Sequence, residues 1–351
     1  MIRPVGLCLA GFLAACSPEN APASSTPPAA DDIISAPALP PASEAPVAQA
    51  VQAARLDQMA LDPEAARGVL IRAQVLLDRA HFSPGVIDGA PSEAMGLALT
   101  AFQQARGLPV TSALDPATWD ALTRNDEQPV LADYVITEAD VQGPFVKSIP
   151  RSTAQMAKLR ALSYSGPLEA LAEKFHMDEA LLQALNPGVD VSRPGQSIVV
   201  ARVTQTPLPV EVTRVEVDKS QGQVRAFDAQ GGIVAVYPAT VGSADNPAPT
   251  GDWAVRAVAE NPTWNYDPAR LSFGEGGTKK VVAPGPNNPV GVVWIALTKD
   301  TYGIHGSPEP KLIGKTASHG CVRLTNWDAT QLGRAVRAGT IVTFVGDEAA
   351  G

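Results

Sequence analysis

The period of the apolar positions changes twice along the chain. Between residues 63 and 123 it is helical. Leu70, Ala73, Gln74 and Leu77 fall on one face of a first helix, and Leu97, Thr100, Ala101 and Phe102 on one face of a second. Pro84-Gly85-Val86-Ile87-Asp88-Gly89 reads as a turn between them. A third helix opens at Leu114-Asp115-Pro116, with Asp115 as N-cap and Pro116 where a missing N–H costs nothing. From Leu162 to Val203 the pattern predicts strand, helix, helix, strand, with helical spacing over Gly166–Phe175, a second helix from Asp178 to Asn186, and a strand at Ile198–Val200. Residues 124–158 carry no pattern that assigns a fold. From Val212 the elements are short strands: Val215–Val217, Val224–Phe227 and Ile233–Tyr237, with Gln230-Gly231-Gly232 as a hairpin signal. A Gly/Pro-rich stretch from Asn261 to Pro289 precedes a strand at Val292–Ile295. Trp327 to Arg337 predicts a short amphipathic helix stopped by Gly339, and Ile341–Val345 a last strand.

The N-terminal segment has a different logic. Arg3 supplies a positive charge, and the apolar run Val5–Ala15 is too short to span a bilayer, so residues 1–16 read as a targeting segment. It ends Leu13-Ala14-Ala15-Cys16, which resembles a bacterial lipobox. That resemblance implies cleavage before Cys16, lipid attachment to Cys16 and, with Ser17 rather than Asp following, sorting to an outer membrane. Residues 17–62 are rich in Pro, Ala and Ser and read as an extended tether. At about 3.1 Å per residue, such a tether reaches on the order of 100 Å.

Composition narrows the partners. The 351 residues leave room for two or three domains, and a net charge of −9 argues against nucleic acid, which calls for a basic patch. Of three cysteines, Cys8 leaves with the targeting segment and Cys16 carries lipid, so Cys321 is left with no intramolecular disulfide partner in a disulfide-permissive compartment. Around it lies the stretch with most chemistry: Tyr302-Gly303-Ile304-His305-Gly306, a loop-like connection over Ser307–Thr316, then Ser318-His319-Gly320-Cys321-Val322-Arg323. A cysteine with histidine nearby reads as a thiolate nucleophile with a general base. Three Cys/His side chains, His305, His319 and Cys321, are also a set that zinc binds, although no carboxylate base adjoins the histidines. A lone cysteine is more often a small buried hydrophobe. The glycine beside it, which lets backbone approach a substrate, favours chemistry here. The remaining histidines, His81 and His176, lack a chemical partner nearby in sequence and read as packed or solvated.

Ile304-His305-Gly306 followed by Ser318-His319-Gly320-Cys321-Val322-Arg323 resembles the active-site signature of the L,D-transpeptidase (YkuD-type) family. The resemblance extends over 210–346 and implies a β-rich sandwich, no metal or other cofactor, and action on peptidoglycan stem peptides through a cysteine thioester. It assigns Cys321 as nucleophile and His305 as base, with the Gly306 carbonyl as the partner of His305; His319 is the rival base by proximity to Cys321 alone. Backbone N–H groups of His319, Gly320 and Cys321 would form the oxyanion hole, and Tyr302, Ser318 and Arg323 would contact substrate. Residues 63–125, through Asp88-Gly89, Phe102-Gln103, Gly107-Leu108 and Leu114–Leu122, resemble the small three-helix peptidoglycan-binding domain, although Ala90-Pro91 replaces its usual Phe-Gly. Residues 159–204 resemble an α+β LysM-type carbohydrate module. The chain is thus expected to be multidomain, lipid-anchored at the periplasmic face, and directed at peptidoglycan peptides and glycan strands. The alternatives on the same residues are an L,D-carboxypeptidase, a remodelling hydrolase, or a non-catalytic wall-binding lipoprotein. Nothing in the residues sets the oligomeric state.

Overall fold

The computed structural model describes residues 41–124, 126, 128–203, 207–243, 246–270, 277–316, 318 and 320–347. The targeting segment with Cys16, the tether up to residue 40, and His319 lie outside the described residues. No helix among the described residues is long and apolar enough to cross a membrane.

The three expected helices are present: α2 (Pro63–Arg79), α3 (Glu93–Ala105) and α4 (Pro116–Thr123), after a shorter α1 (Pro46–Gln52). Each of the three longer helices is capped by a side chain. Asp62 accepts from the Glu64 and Ala65 N–H groups, Ser92 from Met95, and Asp115 from Thr118 at 2.8 Å. Gln74 is fully buried on the apolar face of α2. It is tolerated there because its amide is saturated: Oε1 accepts from the Gly89 N–H at 2.8 Å, and Nε2 donates to Asp88 Oδ1 at 2.8 Å and to the Ala90 carbonyl at 3.1 Å. One side chain therefore pins the Asp88-Gly89 turn.

Two boundaries need correction. The tether does not run to residue 62: Ala42 bridges Ala132, α1 buries Ala48 and Val51 in the core of α2 and α3, and a 3₁₀ turn covers Leu56–Ala60. Composition alone hid this, because alanine and valine three residues apart make an apolar stripe even in a Pro/Ala-rich stretch. The strand expected at Leu162 is also absent. The element that pairs with β2 (Ser197–Ala201) is β1 (Leu131–Val135), antiparallel with Leu131 opposite Ala201, inside the segment to which no fold was assigned. Two small helices follow β1, α5 (Glu138–Gln142) and α6 (Thr153–Met156). The expected helix pair is present as α7 (Pro167–Lys174) and α8 (Glu179–Leu185). Leu162 instead gives its backbone to the Gly/Pro-rich loop of the next region: its N–H donates to the Pro284 carbonyl and its carbonyl accepts from Asn287, at 2.9 and 2.8 Å. The helices and the β1–β2 pair share one apolar core, from Ala48 through Phe102 and Leu182 to Val203, so what reads as two modules is a single lobe.

The rest is built on a nine-stranded sheet. In chain order its strands are β3 (Arg214–Asp218), β4 (Gln223–Phe227), β5 (Ile233–Pro238), β6 (Thr240–Val241) and β7 (Gly251–Glu260), then β10 (Val293–Leu297), β11 (Gly303–His305), β12 (Val322–Arg323) and β13 (Ile341–Val345). The separate pair β8 (Trp264–Tyr266) and β9 (Lys280–Val282) is antiparallel. The spatial order is β5-β4-β3-β13-β7-β10-β11-β12-β6. β7 joins two halves: Gly251–Ala254 pair with β13 and Val255–Glu260 with β10, so one long strand serves both. Val217, Val224, Ile295, Ile304, Val322 and Leu324 fill the core, closed by Ala329 and Leu332 of α9 (Asn326–Ala335). The outermost strand, β5, is covered by the lobe. Ser83 and His81 exchange hydrogen bonds with Val236 at 2.8 Å each, and Phe82 bridges it. That contact blunts an otherwise open sheet edge.

Candidate active site

β11 and β12 are adjacent and parallel, with Ile304 opposite Val322 and His305 opposite Arg323. Parallel neighbours cannot be joined by a tight turn, which is why a crossover connection separates the two halves of the motif. Side chains alternate across the sheet, so Ile304 and Val322 enter the core while His305 and Arg323 share the other face. Cys321 directly precedes β12, and its thiol meets the backbone of Gly303, two residues before His305 on β11. The thiol and the imidazole therefore stand on one face, diagonal across two strands.

His305 is 4% exposed and its ring is held on two sides. Nδ1 lies 2.7 Å from the Gly306 carbonyl oxygen. A carbonyl only accepts, so Nδ1 carries the proton, and in the neutral ring Nε2 is left with a lone pair. The ring also stacks on Trp294, with centroids 5.3 Å apart and planes at 21°. Trp294 is its cross-strand neighbour on β10. A side chain at Gly303 would strike the Trp294 ring, so this glycine lets the indole lie along the strand. Burial, reinforced by the Arg323 charge, lowers the His305 pKa to about 4 against the opposing Gly306 hydrogen bond. The imidazole is neutral at physiological pH.

Cys321 is a free, partly exposed cysteine. Burial of its sulfur raises the thiol pKa, only partly offset by the Gly303 backbone hydrogen bond and the positive charge of Arg323. Its Sγ lies 3.8 Å from the carbonyl oxygen of Thr301, a residue at φ 69°. The resting pair is thus a neutral thiol and a neutral imidazole. Tyr302 walls the site: a Cβ at Gly320, which has φ 106°, would sit 3.1 Å from its ring. Burial and the neighbouring Cys321 raise the Tyr302 pKa. Arg323 loses some of its basicity to burial, against the opposing charges of Cys321 and Glu309.

Ser318 is placed differently from the expected substrate contact. It is 2% exposed, and its hydroxyl donates to the Cys321 carbonyl at 2.6 Å and accepts from the Gly320 N–H at 3.3 Å, while its own N–H donates to Gly242 at 2.9 Å. It braces the nucleophile loop against β6, the antiparallel neighbour of β12. His319 lies outside the described residues, and with it one ligand of the zinc alternative. His176 finds a partner 98 positions away, Asp78 at 2.8 Å, and stacks on Trp327. His81 meets Gln331 at 3.2 Å. Both pack against α9. Trp294 and Asn326 had no signal in the motif. Trp294 becomes visible only through the β10–β11 register that sets it opposite His305.

Residues 212–344 match the family profile of the L,D-transpeptidase catalytic domain, and residues 69–122 that of a peptidoglycan-binding domain, itself a provisional designation. A Bacillus licheniformis protein provisionally named L,D-transpeptidase YkuD is 31% identical over 180 residues, which cover 50% of this chain and 92% of that protein. The Escherichia coli protein provisionally named L,D-transpeptidase ErfK/SrfK is 30% identical over 185 residues, 51% of this chain and 59% of its own length. The solved catalytic domain of an E. faecium L,D-transpeptidase is covered over 99% of its length by 39% of this chain, at 23% identity and a TM-score of 0.30. With the YkuD relative covered nearly end to end, the chain belongs to the YkuD-type L,D-transpeptidase family, its catalytic domain preceded by a peptidoglycan-binding domain.

Proposed function

We propose that the protein is a cysteine acyltransferase that acts on the tetrapeptide stems of peptidoglycan. The observation that carries this reading is the neutral His305, locked by the Gly306 carbonyl with Nε2 bare, on the same sheet face as Cys321. Nε2 of His305 takes the thiol proton as Sγ of Cys321 bonds to the carbonyl carbon of the third stem residue. The Cys321 backbone N–H receives the oxyanion, whereas the Gly320 N–H, expected to share that role, is already donated to Ser318 Oγ. When the tetrahedral species collapses, the carbon–nitrogen bond to the terminal D-alanine breaks. The departing amine takes the proton from His305, leaving a thioester. An amine acceptor then attacks the thioester, His305 accepts its proton, and the thiol is regenerated as an amide forms. Because both resting groups are neutral, proton loss is coupled to carbon–sulfur bond formation rather than preceding it.

The acceptor in this reading is a second stem peptide. The peptidoglycan-binding domain holds donor and acceptor at high effective concentration, and the β1–α7–α8–β2 unit, which begins at Leu131 rather than 159, extends that lobe as a LysM-like element. The lipid on Cys16 would place the enzyme at the inner face of an outer membrane. Incubation of the purified protein with disaccharide-tetrapeptide tests this: cross-linked dimers and free D-alanine are expected. Tripeptide alone would reassign it as a carboxypeptidase. No peptide change in a folded sample would leave a wall-binding scaffold.

A further inference from the structure

The geometry points to Glu173, on the accessory lobe, as a positioning residue for the catalytic base. This rests on the role proposed for His305. The imidazole is only as well placed as the Gly306 peptide whose carbonyl holds Nδ1. That glycine is clamped by Asn326, the first residue of α9. A Cβ at Gly306 would overlap the Asn326 side-chain oxygen, and one at Gly291 would overlap both that oxygen and the Gly306 backbone. Asn326 is 2% exposed, and all of its amide groups are engaged. Oδ1 accepts from the Val292 N–H at 3.1 Å, and Nδ2 donates to the Pro286 carbonyl at 3.1 Å and to Glu173 Oε1 at 2.9 Å.

Glu173 lies on α7 and is itself held, its Oε1 also accepting from the Tyr164 hydroxyl at 2.9 Å. The chain of contact runs from Tyr164 and Glu173 through Asn326 to Gly306 and the imidazole. Each link is a saturated hydrogen bond or a glycine with no room for a side chain. Without the acceptor at 173, one amide hydrogen of Asn326 is left buried and unpaired. The side chain then keeps two of its three hydrogen bonds and shifts to relieve the unpaired group, and with it shifts the wall against which Gly306 is set. The accessory lobe therefore completes the catalytic site rather than only tethering it to substrate. Oε1 accepts whether or not the carboxyl is ionised, so glutamine at 173 preserves the link while methionine keeps the volume and removes it.

The test uses the full chain with Glu173→Met and Glu173→Gln, read by steady-state release of D-alanine from disaccharide-tetrapeptide and by ¹⁵N NMR of the His305 ring. For E173M, kcat is expected to fall about 10–100-fold, the scale of a base displaced by an ångström or less, with KM within about twofold. The His305 nitrogens should lose the pattern of a protonated Nδ1 and bare Nε2. E173Q is expected to restore kcat to within about threefold and to keep that pattern. If E173M does not fold, Tyr164→Phe is read the same way, with a fall in kcat of about three- to tenfold. A folded E173M (or, in its place, Y164F) with wild-type kcat and an unchanged His305 pattern would overturn the inference. So would an E173Q as impaired as E173M. If wild type itself leaves the tetrapeptide intact, the proposed function fails, and the His305 pattern alone decides whether the lobe positions the ring.

Discussion

At the scale of single residues, the tautomer and pKa of His305 define what is expected. A base is lost when it gains a proton. With its pKa lowered to about 4, activity should persist as pH falls through the ordinary histidine range near 6.5 and disappear only near 4. A pH profile of kcat/KM reads this directly, and an acidic limb at about 6.5 would contradict the buried, neutral imidazole. The raised Cys321 pKa predicts slow alkylation by iodoacetamide at pH 7, rising steeply with pH. Rapid alkylation at neutral pH would instead indicate a preformed thiolate. Ser318→Ala should lower stability by about 1–3 kcal/mol, because the Cys321 carbonyl loses its 2.6 Å donor. It should also slow turnover, because the loop that carries the thiol is no longer braced. Thermal unfolding and kcat together check both. Cys321, His305 and Gly306 were legible in the sequence because a short motif keeps them close along the chain. Ser318 was legible as a residue but not by its role, since a hydroxyl in a motif does not reveal whether it faces solvent or its own backbone.

At the scale of elements, the site depends on two short strands being parallel neighbours. The sequence pattern located β3, β4, β5 and β13 nearly to the residue, because period-two runs bounded by turn residues are a local signal. It did not reveal that β11 and β12, three and two residues long, pair with each other. That pairing is long-range and leaves no period in so short a run. The same limit hid β1: its partner lies about sixty residues on, and the residues around Leu162, apolar enough for a strand, bond to Pro284 and Asn287 instead. The close fit of α9 against β11 also makes a prediction. Gly306→Ala places a methyl group on Asn326 and must displace the carbonyl that holds His305. A fall in kcat of at least about tenfold with little change in KM is expected. Wild-type kcat in a folded G306A would show that this close approach is not needed.

At the scale of the whole molecule, the accessory lobe and the catalytic sheet are parts of one compact unit, Ala38–Gly351. Composition read the lobe as separable modules on a tether. Its shared core and its cover over β5 could not be seen from the chain, because Phe82 and Val236 meet across more than a hundred and fifty residues. The junction holds two carboxyls that burial raises to about 7, Glu173 and Asp328. An acid whose folded pKa lies above its unfolded value near 4 favours the fold while protonated. Its stabilisation is complete below about pH 4 and is lost as pH rises through about 7. The melting temperature of wild type should therefore fall relative to that of Asp328→Asn between pH 5 and 8, with His305 cancelling in the comparison. Parallel melting curves for the two proteins would refute this. The central claim is that Cys321 becomes acylated by a stem peptide, and intact-protein mass spectrometry after brief incubation with disaccharide-tetrapeptide tests it most directly. The predicted result is an adduct equal to the substrate minus D-alanine on wild type, and none on Cys321→Ala. D-alanine release without any adduct that depends on Cys321, or an adduct that persists in the variant, would contradict it.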